Sequence, residues 1–350
     1  PFQTPSQVGQ DNKALPRLES SKAFPRLEDP GQGTAKPLPR LERRKHGKAA
    51  VEDRGMTLPR RVLPGTTYMV TRRCLGRRFL MRPDRLLNQV FAYCLARAAE
   101  KHGIEVHAVG VMSNHHHLVM TDVRGVLPEF LMSFHRSLAM CIKRIRGWDE
   151  VVWEPNVPTS AIELTGTSEI LDKVAYTILN PVSAGLVRAP HRWPGVLSTC
   201  AELTHGALEA ERPPVWFKNT APKSAKLRWT VPPGFARKKP YLDALHQLVG
   251  SRLRELRLAH RRAGKGYLGR LRVQKRRVTD QPEAPKSRFG PSPTFSALTR
   301  TKWLEVMRRL RAFRTAYREA YARWSQGNPS VEFPRGTWWV VRHAGAQVAT

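Results

Sequence analysis

Seven segments between residues 66 and 180 show the periodicity of regular secondary structure. Strands are predicted where β-branched and apolar residues alternate or cluster, and helices where apolar residues recur at three- and four-residue steps. Gly103 and Gly147 are suited to end the first two helices, and Asn180–Pro181 is expected to end the third. The predicted elements are a strand at 66–73, a helix from Pro83 to about His102, strands at 105–112 and 115–122, a helix from Leu127 to about Ile145, a strand at 158–165 and a helix from about Ser168 to Leu179.

The order of these elements predicts the fold class and the domain organisation. Strand, helix, strand, strand, helix, strand is the order of an α+β fold with a ferredoxin-like antiparallel sheet and helices on one face. We assign this fold to a domain at 56–205. Residues 206–350 are punctuated by prolines and are predicted to form a basic, mainly helical, partly disordered extension, with helices near 240–262 and 296–324.

The first 55 residues carry a Pro-Arg-Leu-Glu repeat in three copies, at 14–20, 23–29 and 38–44. Frequent prolines oppose helix formation, and one leucine per copy cannot build a core, so a disordered arm is predicted over 1–55. Met56 follows directly. Two hypotheses stay open: Met56 is the natural start and the repeats are over-extended upstream translation, or the arm is natively translated.

Charge points to a polyanionic partner. The 350 residues contain 60 Lys and Arg against 28 Asp and Glu, a formal net charge of +32, and 206–350 holds 31 of the basic and 9 of the acidic residues. This excess argues against an ordinary metabolic enzyme and favours nucleic acid as the partner, the alternative being a solvated tail without a specific role. With no apolar run long enough for a membrane span, no signal-peptide pattern and no CxxC spacing, we expect a reducing cytoplasm and no membrane partner.

The strongest chemical signal is the triplet His115-His116-His117 on a predicted strand. Side chains alternate along a strand, so His115 and His117 share one face and can converge on one metal ion, while His116 takes the other. The alternative is a chance polar triplet on an exposed edge, which the apolar flanking residues oppose. Metal binding is therefore favoured, but the pattern alone does not name an enzyme, because His-x-His also occurs in zinc hydrolases.

A second signal lies on the helix at 168–180. Tyr176 and Asn180 are four residues apart and share one helix face, with Lys173 one turn earlier on roughly the same side. The residues alone favour a half-buried structural tyrosine here, because Tyr176 borders the apolar stripe of the helix.

Taken together, the two signals resemble a known family. GVMSNHHHLVMTD, followed about 60 residues later by YTILNPVSAGLV, resembles the HUH-type single-tyrosine transposases and, among them, the bacterial REP-associated tyrosine transposases. Matched residue by residue, the family's metal-binding histidines fall on His115 and His117, its nucleophile on Tyr176 and its amide ligand on Asn180. The resemblance covers about 60–200. This chain departs from the family at His116, where an apolar residue is usual, and at Ser113, where proline is usual.

The resemblance implies a metal-dependent enzyme that cleaves and rejoins single-stranded, hairpin-containing DNA through a 5′-phosphotyrosine intermediate, in DNA transposition or repeat processing. It implies Mg²⁺ or Mn²⁺ as the cofactor, a bacterial cytoplasmic location at the nucleoid, and either a monomer or a homodimer. His135 is a further candidate for phosphate contact. The expected DNA-binding residues are Arg72, Arg73, Arg77, Arg78, Arg136 and Lys173.

Two other function classes compete with the transposase. One is a protein that binds structured DNA or RNA without cutting it, which has no need of a tyrosine facing a metal site. The other is a metal-dependent hydrolase that uses His115 and His117 with a water nucleophile, forms no covalent adduct and tolerates Tyr176→Phe.

Overall fold

The computed structural model describes residues 59–283 and 293–349, all within one unit that spans Thr57–Thr350. The predicted arm at 1–55 lies outside the described residues. The strands are β1 (Thr66–Arg73), β2 (Ile104–Val111), β3 (His115–Asp122), β4 (Ser160–Leu164), β5 (Ala207–Glu211), β6 (Ser224–Arg228), β7 (Phe295–Ser296), β8 (Glu332–Phe333) and β9 (Gln347–Val348). The helices are α1 (Arg85–His102), α2 (Leu127–Arg146), α3 (Thr167–Ser183), α4 (Cys200–His205), α5 (Lys238–Arg262), α6 (Arg270–Lys275), α7 (Arg300–Ser325) and α8 (Trp339–Ala344).

The central sheet confirms the predicted topology. Its strand order is β2–β3–β1–β4–β7, and the first four strands pair antiparallel. This is the order that a βαββαβ chain adopts in a ferredoxin-like sheet. The short strand β7, from the C-terminal extension, adds to the edge parallel to β4. No helix within the described ranges has the length and apolar character needed to cross a bilayer.

The two faces of the sheet carry different helices, as the residues of β3 show. The ring of His116 contacts Phe91 of α1 and Phe134 of α2. The ring of its neighbour His117 contacts Tyr176 of α3. Because successive strand residues point to opposite faces, α1 and α2 cover one face, as predicted, and α3 covers the other.

The predicted ends of α1 and α2 are confirmed, and the predicted end of α3 is wrong. Gly103 and Gly147 close their helices in the left-handed conformation. Helix α3 instead runs through Asn180–Pro181 to Ser183. Proline removes only one helix hydrogen bond, and the next turn still forms, since the Ala184 N–H donates to the Asn180 carbonyl at 2.9 Å. Asn180 is therefore held inside a helix rather than in a loop.

The extension packs on the domain through a helix that was predicted and a hairpin that was not. The predicted helices near 240–262 and 296–324 correspond to α5 and α7. Helix α5 packs against α3, and the β5–β6 hairpin packs against α1. The hairpin was missed because its strands are short and polar, with only one buried residue in five in β5.

Asp122 stabilises the start of α2 and offers a test of the fold. Its buried carboxylate accepts hydrogen bonds from the backbone N–H groups of Arg124, Val126 and Leu127 at 3.3, 3.0 and 2.7 Å. We expect Asp122→Ala to lower the free energy of unfolding by about 1–3 kcal/mol, because these donors lose their partner. Urea unfolding measures the loss. Asp122→Asn, which keeps one acceptor oxygen, should lose less, and equal stability of all three proteins would contradict the assignment.

Candidate active site

Strand pairing brings the two outer histidines to one face of the sheet. In the β1–β3 register, His115 is paired with Arg73 and His117 with Thr71. Directly paired residues of antiparallel strands present their side chains on the same face. The imidazole centroids of His115 and His117 lie 4.8 Å apart, and His117 is only 4% exposed. Both rings thus lie beneath α3.

The hydrogen bonds of these rings determine which nitrogen carries the proton. Nδ1 of His115 lies 2.7 Å from the Oδ1 atom of Asn114, which can only accept, so Nδ1 donates and Nε2 is unprotonated. Nε2 of His117 lies 3.2 Å from the Nδ2 atom of Asn180, which can only donate, so Nε2 accepts. Nδ1 of His117 therefore donates to the hydroxyl of Thr71 at 2.8 Å. In both rings, therefore, the proton is on Nδ1 and Nε2 carries a lone pair.

Burial keeps both imidazoles neutral. Desolvation, together with the positive charge of Arg73, lowers the pKa of His117 to about 3. The pKa of His115 is lowered well below its usual value by burial, then by His117 and Arg73. Metal ions bind the neutral imidazole, so these rings are in the ligand form at pH 7.

Helix α3 supplies the other two residues of the candidate site. Tyr176 and Asn180 lie four residues apart on the face toward β3, and the Tyr176 ring centroid is 5.4 Å from that of His117. Asn180 is 9% exposed, whereas Tyr176 is 43% exposed. Tyr176 combines a ring packed on His117 with a large accessible surface, so its hydroxyl can be reached by a substrate, and its role stays a prediction.

The donor set fits a divalent metal with open coordination positions. Among the residues that the structure describes, no group of three or more histidine, cysteine or acidic side chains is placed to hold a metal ion. The candidate ligands are instead the Nε2 atoms of His115 and His117 and the amide oxygen of Asn180; metal binding would replace the hydrogen bond that Asn180 Nδ2 now donates to His117. A neutral set of three donors leaves positions for phosphate oxygens and water, and imidazole makes Mn²⁺ the easier fit than Mg²⁺.

His116 does not belong to this site. It is fully buried on the opposite face, where its Nε2 atom lies 3.1 Å from Nε2 of His135 and its ring contacts Trp153. The two histidines that share the candidate site are therefore His115 and His117. The expectation that His135 contacts phosphates is wrong, because this side chain is buried between α2 and the sheet.

The expected DNA-binding residues do not form one cluster. Arg73 lies beside the histidines, and the carbonyl of Arg77 accepts from the Nδ2 atom of Asn114 at 3.2 Å. Two arginines pack on aromatic rings at 5.3 Å, Arg72 on Trp153 and Arg78 on Trp148. Of the remaining two, Lys173 pairs with Asp172 at 2.9 Å, and Arg136 is exposed on α2, on the other face of the sheet. Their contact with DNA stays a prediction.

Sequence reasoning missed Thr71 and the orienting role of Asn114. Neither residue type is distinctive. Thr71 and His117 are 46 residues apart in the sequence, and their contact depends on the register between β1 and β3. The one available signal for Asn114 was its place next to His115 in the turn.

Thr71 offers a test of metal binding. Groups that orient a ligating histidine typically contribute 10- to 100-fold in metal affinity. We expect Thr71→Val to weaken Mn²⁺ binding by about that factor, because the His117 ring loses the acceptor that fixes its proton on Nδ1. Titration calorimetry or Mn²⁺ electron paramagnetic resonance measures the affinity. Thr71→Ser keeps the hydroxyl and should bind nearly as wild type, whereas equal affinity of the valine variant would exclude the orienting role.

Comparison with known proteins adds distant structural likenesses. No protein-family model matches this sequence, and no curated protein matches it. A solved REP-associated tyrosine transposase bound to a REP hairpin is similar at 18% identity and a TM-score of 0.35, over 41% of this chain and 83% of that one. A candidate transposase from Deinococcus radiodurans R1 is similar at 19% identity and a TM-score of 0.26, over 36% and 97%. Likenesses this distant support no conclusion about function.

Proposed function

We propose that this protein is a metal-dependent single-stranded DNA transposase or endonuclease that uses Tyr176 as its nucleophile. One observation supports the proposal: the accessible phenol of Tyr176 lies on the same face of the sheet as two neutral imidazoles and the amide of Asn180. The ring centroids of Tyr176 and His117 are 5.4 Å apart. A site that only binds nucleic acid has no use for this combination. A site that uses water has no use for the tyrosine.

The chemistry follows from these groups. The phenolic oxygen of Tyr176 attacks the scissile phosphorus, the bond from phosphorus to the 3′ oxygen breaks, and the phenolic proton is lost to solvent as the 3′ oxygen gains one. A phenol is a weak nucleophile at neutral pH, since its pKa is about 10. A divalent metal held by His115, His117 and Asn180 supplies charge withdrawal from the phosphate oxygens when it is bound.

The products explain how strands are rejoined. The 5′ end stays linked to Tyr176 as a phosphotyrosine ester, and the other end is a free 3′ hydroxyl. Because the ester retains the energy of the phosphodiester, attack by a second 3′ hydroxyl reverses the step and joins new ends without ATP. This is the activity that DNA transposition or the processing of repeats requires.

Positive charge near the site supports a nucleic acid substrate. Arg73 is paired with His115 across the two strands, and its positive charge lowers the pKa of both histidines, so a cation lies beside the proposed site. Arginine suits phosphate because its planar fork donates two parallel hydrogen bonds. We propose hairpin-containing single-stranded DNA as the substrate class and the bacterial nucleoid as its location.

An adduct assay tests this function. The protein is incubated with labelled single-stranded hairpin DNA from the flanks of its own gene, with Mn²⁺ or with a chelator, and run on a denaturing gel. We expect a labelled band at the mass of the protein that disappears with chelator, and a DNA-linked peptide that contains Tyr176. Binding without an adduct across several hairpins would favour the non-cleaving binder, and cutting without an adduct would favour the water-using hydrolase.

A further inference from the structure

The C-terminal extension contains an uninterrupted basic segment, residues 261–277, that we call the basic strap. It runs from the last two residues of α5 through α6 and has eight Arg and Lys side chains and no Asp or Glu. All eight are exposed, and among the described residues only Arg276 forms an ion pair, with Glu283 at 3.4 Å. The eight residues are Arg261, Arg262, Lys265, Arg270, Arg272, Lys275, Arg276 and Arg277.

The middle of the strap is fixed to the elements that carry the candidate site. The backbone N–H groups of Leu268 and Gly269 donate to the carbonyls of Gly185 and Leu186, each at 2.9 Å, just beyond the end of α3. Val273 is buried in a cluster with Val182 of α3 and with Met112, which immediately precedes the turn to His115. The strap thus contacts both the helix of Tyr176 and the hairpin of the histidines.

The end of the strap lies along the loop that follows β1. The Arg82 guanidinium donates to the Arg276 carbonyl at 2.8 Å, and the Phe79 N–H donates to the Asp280 carbonyl at 3.0 Å. This loop also includes Arg77, whose carbonyl orients Asn114. The strap and the loop therefore lie side by side next to the candidate site and together present a concentrated positive surface.

We propose that the basic strap binds the single-stranded DNA backbone immediately beside the scissile phosphate, and that the loop at 75–82 is the opposite wall of the same path. The proposal rests on the proposed function, because that function places the scissile phosphate at Tyr176. When exposed Lys and Arg side chains neutralise phosphates, the counterions condensed on the nucleic acid are released, and this release is the main source of affinity for nucleic acid backbones.

One feature of the strap favours a single strand over a duplex. Leu271 stands between Arg270 and Arg272 and is 70% exposed. Single-strand binding surfaces combine a basic groove with aromatic side chains on which unpaired bases stack. An exposed leucine can contact the same base faces, which a duplex hides in its stack. A purely electrostatic duplex surface has no need of an exposed leucine among its arginines.

The test removes charge from the strap and, separately, from a matched site in the same extension. The strap variant is R272Q/K275Q/R277Q, and the control is R308Q/R311Q/R318Q, which removes three exposed arginines from α7. Both are made in a Tyr176→Phe background and assayed with chelator, so that binding is measured without cleavage. Fluorescence anisotropy against salt concentration is recorded for two probes, an unstructured single strand and a blunt hairpin without single-stranded flanks.

For a single strand, each lost phosphate contact lowers the slope of log affinity against log salt by about 0.7. For the single strand, we expect the slope of the strap variant to be smaller in magnitude by about 2, because three contacts are lost. Its affinity near 0.1 M salt should fall about 10- to 100-fold. The control and the blunt hairpin should change much less. Leu271→Gln should also weaken binding of the single strand while leaving the salt slope unchanged.

Equal losses for strap and control, or losses on the blunt hairpin as large as on the single strand, would overturn the proposal. Circular dichroism and urea unfolding confirm that each variant is folded. The outcome is separate from that of the adduct assay: an adduct with an unchanged slope would refute only the strap, and a changed slope without any adduct would refute the transesterification and leave the strap as a binding surface.

Discussion

Replacing Tyr176 by phenylalanine is expected to abolish the covalent link between protein and DNA. The substitution removes only the phenolic oxygen and keeps the ring that packs on His117, so the fold and DNA binding should be retained. Loss of a nucleophile lowers the rate of the chemical step by on the order of 10³-fold or more. The measurement is the labelled band on a denaturing gel, followed over time with Mn²⁺ and hairpin-containing single-stranded DNA.

Tyr321→Phe is the matched control, since it removes the same atom from a tyrosine that packs on Tyr317 and Trp324 in α7. It should form the adduct at the wild-type rate. An adduct that persists in Tyr176→Phe would place the nucleophile elsewhere. Cleavage that persists without an adduct would instead show that water is the nucleophile.

The second large effect, on Mn²⁺ binding and on adduct formation, is expected when His117 is replaced and not when His116 is replaced. His117→Ala removes an imidazole that lies beside His115, Asn180 and Tyr176. We expect Mn²⁺ binding to fall below detection in titration calorimetry and the adduct to be lost, because two remaining donors hold a divalent ion poorly. Rescue of the adduct by added imidazole would support the role of the ring itself.

The matched control changes the other face of the same strand. His116 and His135 bond each other, and the Nδ1 atom of each is buried without a hydrogen-bond partner. Replacing both partners by apolar residues is nearly neutral where replacing one is not, so His116→Leu/His135→Leu should keep its fold, Mn²⁺ binding and adduct. Loss of Mn²⁺ binding in this folded double variant would mean that the inner histidine takes part in the metal site.

Much of the candidate site was accessible from the sequence because its members come in local pairs. His115 and His117 share a face because a strand has a period of two residues, and Tyr176 and Asn180 share a face because a helix turn spans about four. The sequence order also predicted the four antiparallel strands and the packing of helices on one face of the sheet. These are consequences of short-range geometry and of where apolar residues must be buried.

The end of α3 could not be predicted in this way. Asn-Pro usually marks the end of a helix because proline lacks an N–H and restricts the residue before it. Here Pro181 and Val182 are both buried, and packing holds the chain helical to Ser183. The amide of Asn180 owes its fixed position to this burial, which local propensity does not describe.

By itself, then, the sequence determined the order of strands and helices between residues 66 and 180, the antiparallel sheet and the two local pairs of reactive side chains. Only the tertiary structure decided that the two pairs meet, that Thr71 and Asn114 set the protonation of the histidines, that His116 turns away to His135, and that the basic strap lies against α3. The reason is physical: periodicity fixes which residues share a face of one element, whereas contacts between elements depend on strand register and helix packing, which are set by burial across the whole domain.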